Sequence, residues 1–268
     1  MKTPLLPIAA VCLLSSLAVA RPGHAAPPWP TRGSAGTLIG RFEPPPKAQR
    51  VAVEPGSFAA WLRELPLRPA GTQVLLHGGN AKHRQDVHAA VIDIDTGKRD
   101  LQQCADAVMR LRAEYLWSKN RPGQACFLSA AGKTLRFGGK GYPAYRKWLD
   151  TVYNWANTGS LRQQMQPVRD ALQVQPGDVY VMGAGGGLPY GHAVLVLDVA
   201  QEPGAKGQRW VQLSQSYMPA QDIHVLQNGA EPKVGPWFRV QADGSLGTPE
   251  WIFKAGSLHR FGPKECAR

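Results

Sequence analysis

Between residues 177 and 226 the chain carries four apolar runs in close succession, at 178–182, 193–199, 210–216 and 223–226, with only turn-rich stretches between them. The gaps are too short for the helical crossover that parallel neighbours need, so these strands are expected to pair antiparallel. Shorter candidates at 237–240 and 251–253 extend the series, and earlier ones lie at 73–76, 88–95, 126–128 and 134–137. Helical patterns precede this block. Ser57 suits the N-cap of a helix over 58–64 that Pro66 closes. Asp100 suits the N-cap of a longer one whose apolar stripe is Leu101, Cys104, Val108, Leu111 and Tyr115, with Arg110, Arg112 and Glu114 off the stripe. A third helix, over 143–156, sets Trp148, Val152 and Trp155 on one face, and Ser160 is read as the cap of another. Trp148, Trp155 and Trp210 are read as core, and Asp93 and Asp95 as a solvated strand face. Helices first and strands later give an α+β class, in one domain at residues 38–262, with helices packed on a mostly antiparallel sheet.

Gly contributes 29 of the 268 residues and Pro 23. That is loop-rich, yet short of the roughly 25–30% that marks low complexity. A hydrophobic share of 43% excludes wholesale disorder, and the length suffices for a full core.

The N-terminus reads as a secretory signal over residues 1–20: Lys2, an apolar run at 5–19, and the small-x-small site Ala18-Val19-Ala20. A second cleavage site follows His24-Ala25-Ala26. Cys12 stands where a lipid-bearing cysteine would, but Val11 replaces the small residue wanted before it. Residues 21–37 read as a Pro/Gly-rich linker and 263–268 as a tail. The mature chain is expected to be exported, periplasmic or extracellular. Of its cysteines, Cys126 and Cys266 are expected to pair, since export permits disulfides and a terminal cysteine is a usual staple, leaving Cys104 free.

The net charge is +12, from 31 Lys and Arg against 19 Asp and Glu. The basic residues are scattered, with no aromatic interleaving, so no nucleic-acid partner is expected. They mark either a basic exported protein or one drawn to an anionic envelope polymer.

Three stretches could carry chemistry. Cys104, near a helix start, would feel the positive end of the dipole, which favours thiolate; alternatively it is a small buried hydrophobe on the stripe. His192 opens an apolar strand beside a Gly-rich loop whose glycines lack dinucleotide-binding spacing, so no cofactor is expected. Gln215 would be a polar group on a strand face with Val211, Leu213 and Tyr217, and it needs a partner. That partner is an imidazole N–H or a nearby backbone group. A nucleophilic thiol, a base and an orienting group form a working set. His77, His83, His88 and Asp86 are metal-ligand types at irregular spacing, and no metal site is expected from them.

Residues 100–117, Gly191-His-Ala-Val, Gln215-Ser-Tyr-Met-Pro-Ala-Gln221 and Thr248-Pro-Glu-Trp251 resemble the bacterial family of domain of unknown function 4846, over about residues 38–262. The stretch from Pro176-Gly-Asp-Val through Gly191-His-Ala-Val-Leu-Val is similar to the histidine segment of the NlpC/P60 and CHAP papain-like cysteine peptidases and amidases. That resemblance implies a papain-like domain in which Cys104 is nucleophile, His192 base and Gln215 orienting residue. The Cys104 N–H would receive the oxyanion, with the Gln102 or Gln103 side chain. The function expected is a thiol hydrolase cutting an amide of a cell-wall peptide. The alternative is a non-catalytic binding or structural module of the envelope.

Overall fold

The longest strand, residues 192–201, is buried on both sides, in a computed structural model that describes residues 27–185, 189–204 and 207–262. Ala193, Leu195 and Leu197 face one apolar cluster, while Val194, Val196 and Val199 face another. A bulge between Val196 and Asp198 shifts the alternation, which is why Val199 follows Val196 to the same side. A strand apolar on both faces belongs inside a sheet covered twice.

The helices are α1 (Leu38–Arg41), α2 (Phe58–Arg63), α3 (Cys104–Ser118), α4 (Tyr142–Trp155) and α5 (Thr158–Gln164). The strands are β1 (Gln49–Arg50), β2 (His88–Val91), β3 (Cys126–Leu128), β4 (Thr134–Arg136), β5 (Gln166–Pro167), β6 (Val179–Met182), β7 (His192–Gln201), β8 (Arg209–Gln215), β9 (His224–Leu226), β10 (Trp237–Arg239), β11 (Leu246–Gly247), β12 (Ile252–Phe253) and β13 (Leu258–Arg260). The main sheet runs β2-β9-β8-β7-β6-β13-β5, with β1 added to β7 and β10 to β8; all these pairings are antiparallel. Leu62 of α2, Val108 and Leu111 of α3, Leu149 of α4 and Leu161 of α5 cover one face. Phe238, Val240, Leu246 and Phe253 cover the other. The fold is α+β with few helices and a mostly antiparallel sheet, as the strand spacing predicts.

Local differences have local causes. Helix α3 starts at Cys104 with Gln103 as N-cap, because Asp106 Oδ2 accepts from Gln103 N at 3.1 Å. The Asp100 carboxylate is instead used by Ala220 N at 2.7 Å. Arg110 and Glu114 are fully buried and paired at 2.6 Å rather than solvated. In α5 the cap is Asn157, and Ser160 returns the reciprocal bond from the third position. Trp210 lies in the core, Trp148 packs partly buried against it, and Trp155 is 64% exposed. Residues 73–76 form no strand; Leu75 and Leu76 make only isolated bridges to Ala81 and Gln221. Asp93 is buried, not solvated, because its carboxylate holds Arg32 N and Ser34 Oγ, each at 2.8 Å. With Trp29 Nε1 donating to Asp93 O at 2.9 Å, the Pro/Gly-rich stretch is docked on the body from Trp29 onward.

Cys126 is disulfide-bonded and Cys104 is a free thiol. The expected signal at 1–20, Cys12, the tail at 263–268 and Cys266 lie outside the described residues. Among the described residues, no helix is long and apolar enough to cross a membrane.

Candidate functional site

Helix α3 packs on β7 so that its first residue, Cys104, lies against the start of the strand, beside Gly191 and Ala193. Residue 191 must be glycine for a different neighbour, the start of α5: a Cβ there would lie 2.8 Å from Thr158 Oγ1 and closer still to Met182 O. Cys104 and His192 line one cleft of about 550 Å³, together with Gln103, Asn157, Thr158, Tyr190, Tyr217, Met218 and Trp251. No charged side chain lines it among the described residues. Tyr190 and Met218 are exposed at the lining, so its accessible surface is largely aromatic and apolar.

The Cys104 sulfur is partly enclosed. Sγ lies 3.9 Å from Gly191 O, and the Ala193 N–H also points at it. Burial pushes the thiol up to about 11, and the nearby Asp106 carboxylate acts in the same direction. The dipole expectation therefore loses to desolvation: Cys104 rests as a thiol, not a thiolate. Asp106 is itself raised to about 8 by burial, against the pull of the Gln103 N–H. It holds its proton through neutral pH and ionises above about 8, where its charge opposes a thiolate. Asp106→Asn removes that charge. The expected result is faster iodoacetamide labelling of Cys104 at pH 9, roughly tenfold for each pKa unit gained, read by peptide mass spectrometry. An Asp106 carboxyl held at about 8 is also a source of stability that fades as pH rises from its unfolded range through 8. Thermal melts should accordingly show the variant gaining on the parent protein at pH 8 relative to pH 4; equal profiles would contradict a protonated Asp106.

The His192 ring is 2% exposed and packed against Tyr217, Trp251 and Phe253, with centroids at 4.9, 5.1 and 5.9 Å. Burial lowers it to about 4, outweighing the Gln215 bond and the Glu250 charge, which favour the cation; the Lys82 charge lowers it further. The ring is a neutral base at pH 7. Its Nε2 lies 3.0 Å from Gln215 Oε1. Gln215, the last residue of β8, is 1% exposed, and its amide nitrogen reaches Glu250 Oε2 at 2.7 Å and His224 Nε2 at 3.3 Å. The Lys82 ammonium clamps the Glu250 carboxylate at 2.7 and 2.9 Å. Of the two partners expected for Gln215, an imidazole or a backbone group, the structure gives the imidazole.

The oxyanion candidates separate. Gln103 lines the cleft, with Nε2 donating to Asp100 Oδ1 at 3.0 Å. Gln102 is turned inward: its Oε1 accepts from Arg110 Nη1 at 2.9 Å, and it does not line the cleft. The histidine cluster does not converge. His88 Nε2 contacts Thr72 O at 3.0 Å and Asp86 pairs with Arg84. No group among the described residues could hold a metal ion.

Sequence reasoning missed Lys82, His224 and Glu250. A signal existed for Glu250, which lies in the Thr248–Trp251 segment singled out by resemblance, and for Gln215, a buried amide with more hydrogen-bonding groups than one imidazole can satisfy.

Fold and cleft together define an α+β domain with a free cysteine and a neutral histidine at one opening. The family model for the domain of unknown function 4846 matches residues 38–139 and 138–260, and the chain belongs to that family. No curated protein and no solved structure matches it.

Proposed function

We propose that this protein is an exported thiol hydrolase of papain-like type that cleaves an amide in a cell-wall peptide. One observation carries the reading: Cys104 heads α3, His192 heads β7, both open into the same cleft, and Gln215 holds the imidazole at Nε2. The net charge of +12 supports residence near anionic envelope polymer. The uncharged cleft suits the neutral stretch of such a peptide.

The chemistry follows from the resting states. Cys104 is a thiol and His192 a neutral ring whose Nδ1 has no hydrogen-bond partner among the described residues. As the sulfur attacks the carbonyl carbon, the thiol proton passes to Nδ1, and the S–C bond forms. The carbonyl oxygen, now negative, faces the Cys104 N–H and the Gln103 amide at the helix start. Collapse breaks the C–N bond, and the imidazolium gives its proton to the leaving amine. Water then attacks the thioester with Nδ1 again taking the proton; the S–C bond breaks, the acid leaves and the thiol is restored.

The test is an acid quench of the mature protein mixed with a wall-type peptide. Intact mass should reveal the acyl thioester on the parent protein and none on Cys104→Ala. A second reading, a non-catalytic envelope-binding module, draws on the high thiol pKa and on a sulfur whose hydrogen bond goes to Gly191 O rather than to the His192 ring. Retention of the peptide by both proteins, with neither acylation nor cleavage, would favour it.

A further inference from the structure

Proton bookkeeping around Gln215 extends the site beyond Cys104, His192 and Gln215. The Glu250 carboxylate only accepts, and its Oε2 is 2.7 Å from one end of the Gln215 amide. That end must therefore be the nitrogen. The second amide hydrogen has a second acceptor. His224 Nδ1 lies 2.9 Å from Asp222 O, which also only accepts, so His224 carries its proton on Nδ1 and offers a lone pair at Nε2, 3.3 Å from the same nitrogen. Burial holds His224 neutral, at about 3. With both amide hydrogens committed, Gln215 presents its oxygen to His192, and His192 must donate from Nε2. Lys82 keeps Glu250 in place through two bonds while lying 8% exposed itself.

We infer that Glu250, clamped by Lys82, and His224 are positioning residues that lock His192 in the Nε2–H tautomer, leaving Nδ1 as the basic nitrogen of the ring. The inference deepens the hydrolase reading, on which its catalytic consequence rests; the tautomer itself does not depend on any reaction. In acyl-transfer sites an imidazole held in the wrong tautomer costs about 10⁴ in kcat, so a lock of this kind is worth two buried polar groups.

The experiment is nitrogen-15 NMR of the full mature chain labelled at histidine, where protonated and unprotonated ring nitrogens differ widely in shift. In the parent protein His192 should be a single Nε2–H species and His224 an Nδ1–H species. Glu250→Ala and His224→Phe each leave one acceptor and should weaken the preference. The double variant frees the amide to turn, and an Nδ1–H form of His192 should appear. Glu250→Gln should restore the parent pattern, because its side-chain oxygen can accept from both Gln215 and Lys82; mere packing damage would not be rescued this way. A parent His192 protonated at Nδ1 overturns the inference without any variant, so misfolding of the double variant does not protect it. A correct tautomer in a protein that never forms an acyl thioester would sink the hydrolase reading and leave the lock standing.

Discussion

Arg110→Met is expected to cost the fold about 3–5 kcal/mol, the usual penalty for stranding a buried charge, measured by urea unfolding. Arg110 and Glu114 have no exposed surface and meet at 2.6 Å, one turn apart on α3. Arg110 also donates to Asp95 Oδ1 and Gln102 Oε1, each at 2.9 Å, while Tyr142 donates to Glu114 Oε1 at 2.8 Å. Loss of the guanidinium leaves the Glu114 carboxylate in an apolar cluster with one phenol for company. Asp95 suffers less, because Arg146 still holds its other oxygen at 2.9 Å. Adding Glu114→Leu removes the stranded charge, so the double variant should recover most of the loss. Recovery should be incomplete, since Tyr142 and Gln102 lose partners too. A single substitution costing under about 1 kcal/mol would mean that water reaches the pair. The network also bears on the cleft. Gln102 sits two residues before Cys104, and its bond to Arg110 pins the turn that delivers the thiol to β7.

That pair also marks where sequence reading runs out. The strand block from β6 to β9 is legible because alternating or continuous apolar runs bounded by turns have few other solutions. The Ser57 cap and α2 are legible because the signal is local. Arg110, Glu114 and Asp93 are not, because a charged residue off an apolar stripe is read as solvated unless its partner is known, and the partners of Asp93 lie 25, 59 and 61 residues away. Trp155 fails in the opposite sense: its helical spacing matches Val152, but α4 ends there and the ring projects past the core. Cys104, His192 and Gln215 could be proposed together because each opens or closes an element whose pattern is visible. Lys82 and Glu250 could not be paired, standing 168 residues apart on segments with little regular structure. The choice between thiolate and buried thiol at Cys104 could not be made from the sequence for a related reason. A helix dipole can be read from local sequence, whereas the burial that overrides it comes from the strand packed against the helix.

On the proposed hydrolase mechanism, Cys104→Ala and His192→Ala should each lower kcat/KM for the cleaved amide by about 10⁴-fold or more, and the double variant should lose little beyond that, since a nucleophile and its base act as a unit. The acid limb of the pH profile carries the sharper test. In that mechanism His192 can take the thiol proton only while Nδ1 is unprotonated. Burial holds its folded pKa at about 4, so activity should persist well below pH 6 and fall tenfold per unit only below about 4. On the alkaline side the thiol, raised to about 11, stays protonated through the neutral range, so no thiolate-driven rise is expected there. The two limbs bound a broad plateau of thiol plus neutral imidazole, unlike a preformed thiolate–imidazolium pair, whose acid limb tracks the thiol. Stability sets a competing limit. A histidine buried neutral loses ground as pH falls below its unfolded value near 6.5, because only the unfolded chain takes up the proton, and the loss continues down to the folded value. His192 and His224 both behave so, with folded values of about 4 and about 3. Rates below pH 5 therefore need initial-velocity measurement on protein verified as folded by circular dichroism. An acid limb between pH 6 and 7 in folded protein would mean a hydrated ring, and the aromatic enclosure by Tyr217, Trp251 and Phe253 would then not be the state that turns over. Full activity in either alanine variant would remove the thiol–imidazole pair from the reaction altogether.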